Sequence, residues 1–110
     1  MSQIHRKELL KTLLGNRNVT SIDAREICMD PGQQGGRHLH PCTVMGYIVK
    51  GTAVYQIEGE PPQTLSAGSA FYEPADTIIS NFGNASEVES MTFVAFYLLD
   101  GNQELIRMLD

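Results

Sequence analysis

Apolar residues recur along this chain at two different periods. Over residues 3–14, Ile4, Leu9, Leu10, Leu13 and Leu14 repeat at helical spacing, with Ser2 as a candidate cap and Gly15-Asn16 as a stop. A helix this short is marginal alone, so its leucine face is expected to pack on the body or on a partner. From Val19 onward the period becomes that of strands. Val19–Met29 mixes β-branched and apolar residues and closes at Asp30-Pro31-Gly32. A Gly- and Gln-rich loop, residues 32–36, leads into His38-Leu39-His40. Met45–Val49 is continuously apolar and predicts a strand buried on both faces. Beyond a corner at Lys50-Gly51, Thr52–Ile57 alternates, with Ala53, Tyr55 and Ile57 on one face.

Shorter strands are predicted at Gln63–Ser66, at Ala70–Glu73 before Pro74, and at Thr77–Phe82 before Gly83-Asn84. Met91–Leu99 is the longest apolar run, and Asp100-Gly101 turns into a short helical tail at Gln103–Leu109. Some eight strands spaced by roughly 8–12 residues describe an all-β antiparallel sandwich or barrel. No helix separates successive strands, which excludes a parallel α/β sheet. The 110 residues suit one domain, with residues 1–18 as helix and linker and 19–110 as the barrel.

Charge narrows the partners. The net charge of −5 argues against nucleic acid. Residues 1–50 hold seven Lys/Arg against four Asp/Glu, and residues 51–110 hold one against nine. Cys28 and Cys42 form no Cys-x-x-Cys pair and predict two reduced thiols, as in a cytoplasmic protein. No apolar run is long enough to span a membrane. The charged start, MSQIHRKELLKTLLGN, predicts no signal peptide. His5, on the expected helix, reads as a surface residue.

The candidate chemistry lies between Gly35 and Gly51. His38 and His40 are two residues apart in an extended segment, so both imidazoles face one side and can reach one ion. No Gly-x-Ser-x-Gly, phosphate loop or Ser/His/Asp arrangement competes with them.

Those flanks resemble the cupin family. Its first motif reads Gly-x5-His-x-His-x3,4-Glu-x6-Gly, and Gly32, His38, His40 and Gly51 fall at those places, with Val44 where the glutamate stands. Its second reads Gly-x5-Pro-x-Gly-x2-His-x3-Asn. Gly68 and Pro74 fit it, Asp76 replaces the glycine, Ile79 stands at the histidine, and Gly83 takes the asparagine place beside Asn84. The resemblance covers residues 32–84. It implies a cupin-type double-stranded β-helix, a jelly-roll barrel of the RmlC-like kind, here with a short N-terminal helix.

In metal-binding cupins these motifs hold one divalent ion, often Fe, Ni, Mn or Zn. With Val44 and Ile79 at two ligand places, the resemblance leaves His38 and His40, and two imidazoles hold a metal weakly. Glu73 is the candidate third ligand, giving a 2-His-1-carboxylate set, although the reading preferred for it is a solvated rim residue before Pro74. Cys42, sharing the parity of the histidines, is a second candidate, preferred as a buried hydrophobe. By strand parity, Val44, Tyr55, Tyr72, Ile79 and Phe93 are expected around the pair. The function expected is a small-molecule-binding cupin with weak or absent metal binding. The alternative is a metal-dependent oxygenase or isomerase using His38 and His40. A homodimer is expected, because a small barrel leaves sheet edges and apolar faces to cover.

Overall fold

The computed structural model describes residues 3–110. Among them the chain runs through nine strands: β1 (Ser21–Met29), β2 (His38–Leu39), β3 (Thr43–Lys50), β4 (Thr52–Ile57), β5 (Gln63–Ser66), β6 (Ala70–Glu73), β7 (Ile79–Asn84), β8 (Met91–Leu99) and β9 (Arg107–Met108). They form two antiparallel sheets, β1-β8-β3-β6 and β5-β4-β7-β2-β9, facing each other across one core. No helix among the described residues is long and apolar enough to cross a membrane.

The core follows from alternation. In β8, Met91, Phe93, Ala95, Tyr97 and Leu99 point inward and are buried, while the residues between them are half-buried on the outside. β4 alternates as its sequence predicts, with Ala53 and Tyr55 inside. β3 is apolar on both faces but buried on one. Val44, Gly46 and Ile48 face the core, whereas Tyr47 and Val49 are 38% and 50% exposed outside. Gly46 has no room for a side chain, because the Phe71 ring and the Val94 carbonyl stand where a Cβ would go. Phe71, Phe82 and Phe93 then pack with ring centroids 4.8–5.9 Å apart between the sheets.

Both expected helices are absent among the described residues, and the Ser2 cap lies outside them. Residues 3–14 form no regular structure. Leu10 and Leu14 are half-buried in a groove on the outer face of the four-stranded sheet, beside Thr43, Met45, Tyr72 and Leu98. The segment is too short to offset helix nucleation, and the sheet accepts its leucines without a helix. At the other end, Arg107–Met108 adds β9 to the edge of β2, pairing Met108 with His38 and Arg107 with Leu39. An open sheet edge offers hydrogen bonds that a single helical turn does not. The strand expected at Thr77–Phe82 instead runs from Ile79 to Asn84.

Two polar devices fix the loops around the histidines. Asn84, buried at the end of β7, donates through Nδ2 to the carbonyls of Asp30 (3.0 Å) and Glu89 (2.7 Å) and accepts from the Ser86 amide. It ties the loop after β1 to the loop before β8. Asp76 sits at φ 60°, the left-handed region that explains a glycine at this place in the cupin motif. In that conformation its amide donates to the carbonyl of His40 at 2.8 Å.

Candidate metal centre

The site bridges the two sheets. His38 lies on β2 of the five-stranded sheet and His40 just beyond that strand, while Glu73 ends β6 in the four-stranded sheet. Glu73 is the direct register partner of Val44 on β3. The carboxylate missing at the Val44 place is thus supplied by the strand paired beside it. His38 in turn pairs with Ile79 on β7. The preferred solvated reading of Glu73 is overturned: it is 4% exposed, as are both histidines. Inward parity, shared with Phe71, carries it into the barrel.

Glu73 stands between the imidazoles. Its Oε1 is 3.3 Å from His38 Nε2 and its Oε2 is 3.1 Å from His40 Nε2, with the two rings 4.9 Å apart and nearly perpendicular. The far nitrogens are fixed by backbone: His38 Nδ1 donates to the Gly36 carbonyl at 2.8 Å, and His40 Nδ1 to the Leu105 carbonyl at 2.6 Å. A carbonyl can only accept, so Nδ1 carries the proton in each ring. In the neutral tautomers both Nε2 lone pairs then face a carboxylate, and three acceptors converge with no proton between them. The His40 contact is close but not aligned as a hydrogen bond, which leaves its buried Nε2 without a partner.

Such a cluster needs a cation, either a proton or a metal ion. Burial pushes the Glu73 carboxyl up, but the His38 hydrogen bond and the two imidazoles close beside it outweigh that and hold the group below its ordinary 4.5. Burial pulls His38 down, and the Glu73 carboxylate with the Gly36 carbonyl outweighs that, holding it above its ordinary 6.5. A raised histidine stabilises the fold below its unfolded pKa and stops doing so as pH rises through the folded one. A lowered carboxyl stabilises above its unfolded pKa and stops as pH falls through the folded one. The metal-free protein is therefore expected to melt highest between about pH 4.5 and 6.5. Thermal melting across pH in a strong chelator checks this, and a melting temperature that climbs steadily to pH 8 contradicts it.

The donor set fits a divalent metal. One atom from each of His38, His40 and Glu73 lies within 4.8 Å of the others. Two imidazole nitrogens and one carboxylate oxygen are a set used for iron and related ions, and the backbone carbonyls accepting from Nδ1 aim each Nε2 at the ion's place.

Above the cluster lies a cavity of about 190 Å³, walled by Ile27, Met29, Phe82, Phe93, Ala95 and Ile106, with Gly35 and Tyr97 completing it. Of the pocket residues expected by parity, Phe93 is there. Val44, Tyr55 and Ile79 are buried core beside the cavity, and Tyr55 donates its hydroxyl to the Tyr72 carbonyl at 2.7 Å. Tyr72 faces outward against the N-terminal segment. Cys42 is buried but joins neither cavity nor cluster, because the chain bends at Pro41–Cys42 and breaks the parity set by the histidines. Tyr97 was not foreseen, although it shares the parity of Phe93. Its ring meets that of His40 edge-on at 5.8 Å. Burial, then the charge of Glu73, pushes its phenol up, so it stays a protonated donor at neutral pH.

Comparison with known proteins agrees with this architecture. A family profile described as the cupin domain matches residues 25–97. No curated protein matches the sequence. Among solved structures, a cupin-like protein from Thermotoga maritima superposes with a TM-score of 0.70 at 19% identity, over 80% of this chain and 64% of that one. A DMSP lyase from Ruegeria pomeroyi gives 0.69 at 20% identity, over 80% and 43%. An uncharacterised double-stranded β-helix protein from Klebsiella pneumoniae gives 0.69 at 20% identity, over 84% and 79%. The chain thus spans less than two thirds of the first two structures, and at these identities the likeness is one of fold.

Proposed function

Because the chain belongs to the cupin domain family, we propose that it is a metal-dependent enzyme acting on a small organic substrate, with oxygenase or isomerase chemistry. Its divalent ion is held by His38, His40 and Glu73. The observation that carries this reading is the buried Glu73 carboxylate between two Nε2 atoms whose Nδ1 protons are already committed to backbone. The expectation of weak or absent metal binding rested on Val44 and Ile79 at two ligand places and on a solvated Glu73, and the second premise is gone. The ion would act as a Lewis acid on a ligand oxygen and, as iron, would supply oxygen chemistry.

This chain's own residues do the rest. The Gly36 and Leu105 carbonyls hold the imidazoles in the ligating tautomer. Tyr97 offers a phenolic O–H at the cavity wall beside His40. The apolar walls shield the inner side of whatever is bound from water. Elemental analysis of untagged protein, purified without added metal, is expected to find near one equivalent of Fe, Ni, Mn or Zn, lost on His40→Ala. A metal-free result that persists after soaking with these ions retires the enzyme and leaves a barrel that binds its ligand through the apolar cavity.

The working form is proposed to be a homodimer. One row of side chains across the outer face of the four-stranded sheet reads Ala24, Phe96, Met45, Tyr72, and the next includes Val94 and Tyr47. Ile22 on the same face is 65% exposed. The N-terminal segment covers only part of this surface. Light scattering is expected to give twice the chain mass of 12.1 kDa. A mass of one chain at micromolar concentration contradicts the proposal.

A further inference from the structure

Resting on the metal reading above, we infer that the ligand is a small organic monoanion with a compact apolar tail, and that the cavity discriminates against a second negative charge. The charge balance of the site argues for it. A divalent ion on one carboxylate and two neutral imidazoles carries one net positive charge, which a single anionic head neutralises. Nothing lining the cavity answers a second one. Beyond the cluster its walls are Ile27, Met29, Phe82, Phe93, Ala95 and Ile106, with the Tyr97 phenol, and no cationic side chain lines it among the described residues.

Arg25 shares the inward parity of Ile27 and Met29 on β1, but it is exposed to solvent and outside the cavity lining. Its Nε and Nη2 donate to the two oxygens of Asp23 at 2.9 and 3.2 Å. An unpaired charge forced against apolar walls loses its hydration without compensation.

Size sets the other bound. The cavity of about 190 Å³ opens to solvent past the exposed Ile106. It lies below the ~300 Å³ at which pockets begin to take drug-sized ligands. That space fits a chelating head and a short branched tail, with the tail against Phe82, Phe93 and Ile106.

The test uses the full chain loaded with Co(II), whose visible bands report on the ion directly. Two 2-oxo acids with the same chelating head are compared, 4-methyl-2-oxopentanoate with an apolar tail and 2-oxoglutarate with a carboxylate tail. The monoanion is expected to perturb the bands with a Kd at least about tenfold lower. Ile106→Lys places a cation at the wall on a residue 44% exposed, where the fold tolerates it, and is expected to narrow or reverse that ratio. Equal or tighter binding of 2-oxoglutarate to the parent protein overturns the monoanion assignment and leaves the metal centre standing. Bands that neither acid shifts overturn it as well. Failure to develop cobalt bands at all overturns the metal reading, and this inference with it.

Discussion

Glu73→Gln is expected to lower metal affinity by about 100-fold or more while the barrel stays folded. Glutamine matches glutamate in shape, so the packing around β6 and Pro74 is kept. It removes the one negative charge among the three donors, and its NH₂ group donates to one of the two Nε2 lone pairs that a metal needs, leaving the amide oxygen toward the other. One of the two acceptors then has a hydrogen bond instead of an ion. The metal-free variant should therefore melt no lower than the metal-free parent at a pH above the raised pKa of His38, where the His38–Glu73 pair no longer draws on a charged imidazole. Competition with a chelator of known affinity measures the change. A variant that holds metal like the parent removes Glu73 from the ligand set.

Gly46→Ala is expected to cost about 3 kcal/mol of stability, seen as a fall of roughly 15 °C in melting temperature. A Cβ at Gly46 points into the core, onto the Phe71 ring and the Val94 carbonyl. The ring is locked between Phe82 and Phe93, and the carbonyl belongs to the central strand β8, so neither yields cheaply. Gly59 provides the control. Its added Cβ meets open space at φ 85°, so Gly59→Ala costs only backbone strain, about 1 kcal/mol. Similar melting shifts for the two variants would contradict the packing described at Gly46.

Alternation alone located the strands with one buried face. Thr52–Ile57 and Met91–Leu99 have the bounds their sequences predict, because period two leaves little freedom once one face is inside. The ends of the chain were misread for a common reason. Leucines at residues 9, 10, 13 and 14 satisfy a helical template, yet what decides the segment's path is the apolar sheet on which Leu10 and Leu14 lie, which no local pattern contains. The tail at Gln103–Leu109 is likewise decided by the free edge of β2.

The site was legible by halves. His38 and His40 follow from two-residue spacing and the cupin glycines. The burial of Glu73 depends on its register with Val44, a non-local fact. One rule was nonetheless available in the sequence. Neighbours on a strand face opposite ways, so Glu73 inside requires Tyr72 outside, and the two could not both border the histidines. The same rule, applied from Phe93, points to Ala95 and Tyr97.

The central claim is that one ion sits among His38, His40 and Glu73, and element-specific anomalous scattering from crystals of the metal-loaded protein tests it most directly. One strong peak per chain is expected, roughly 2.0–2.2 Å from both Nε2 atoms and a Glu73 oxygen. A peak lying elsewhere, or none in protein saturated with Mn, Fe, Ni or Zn, would contradict it.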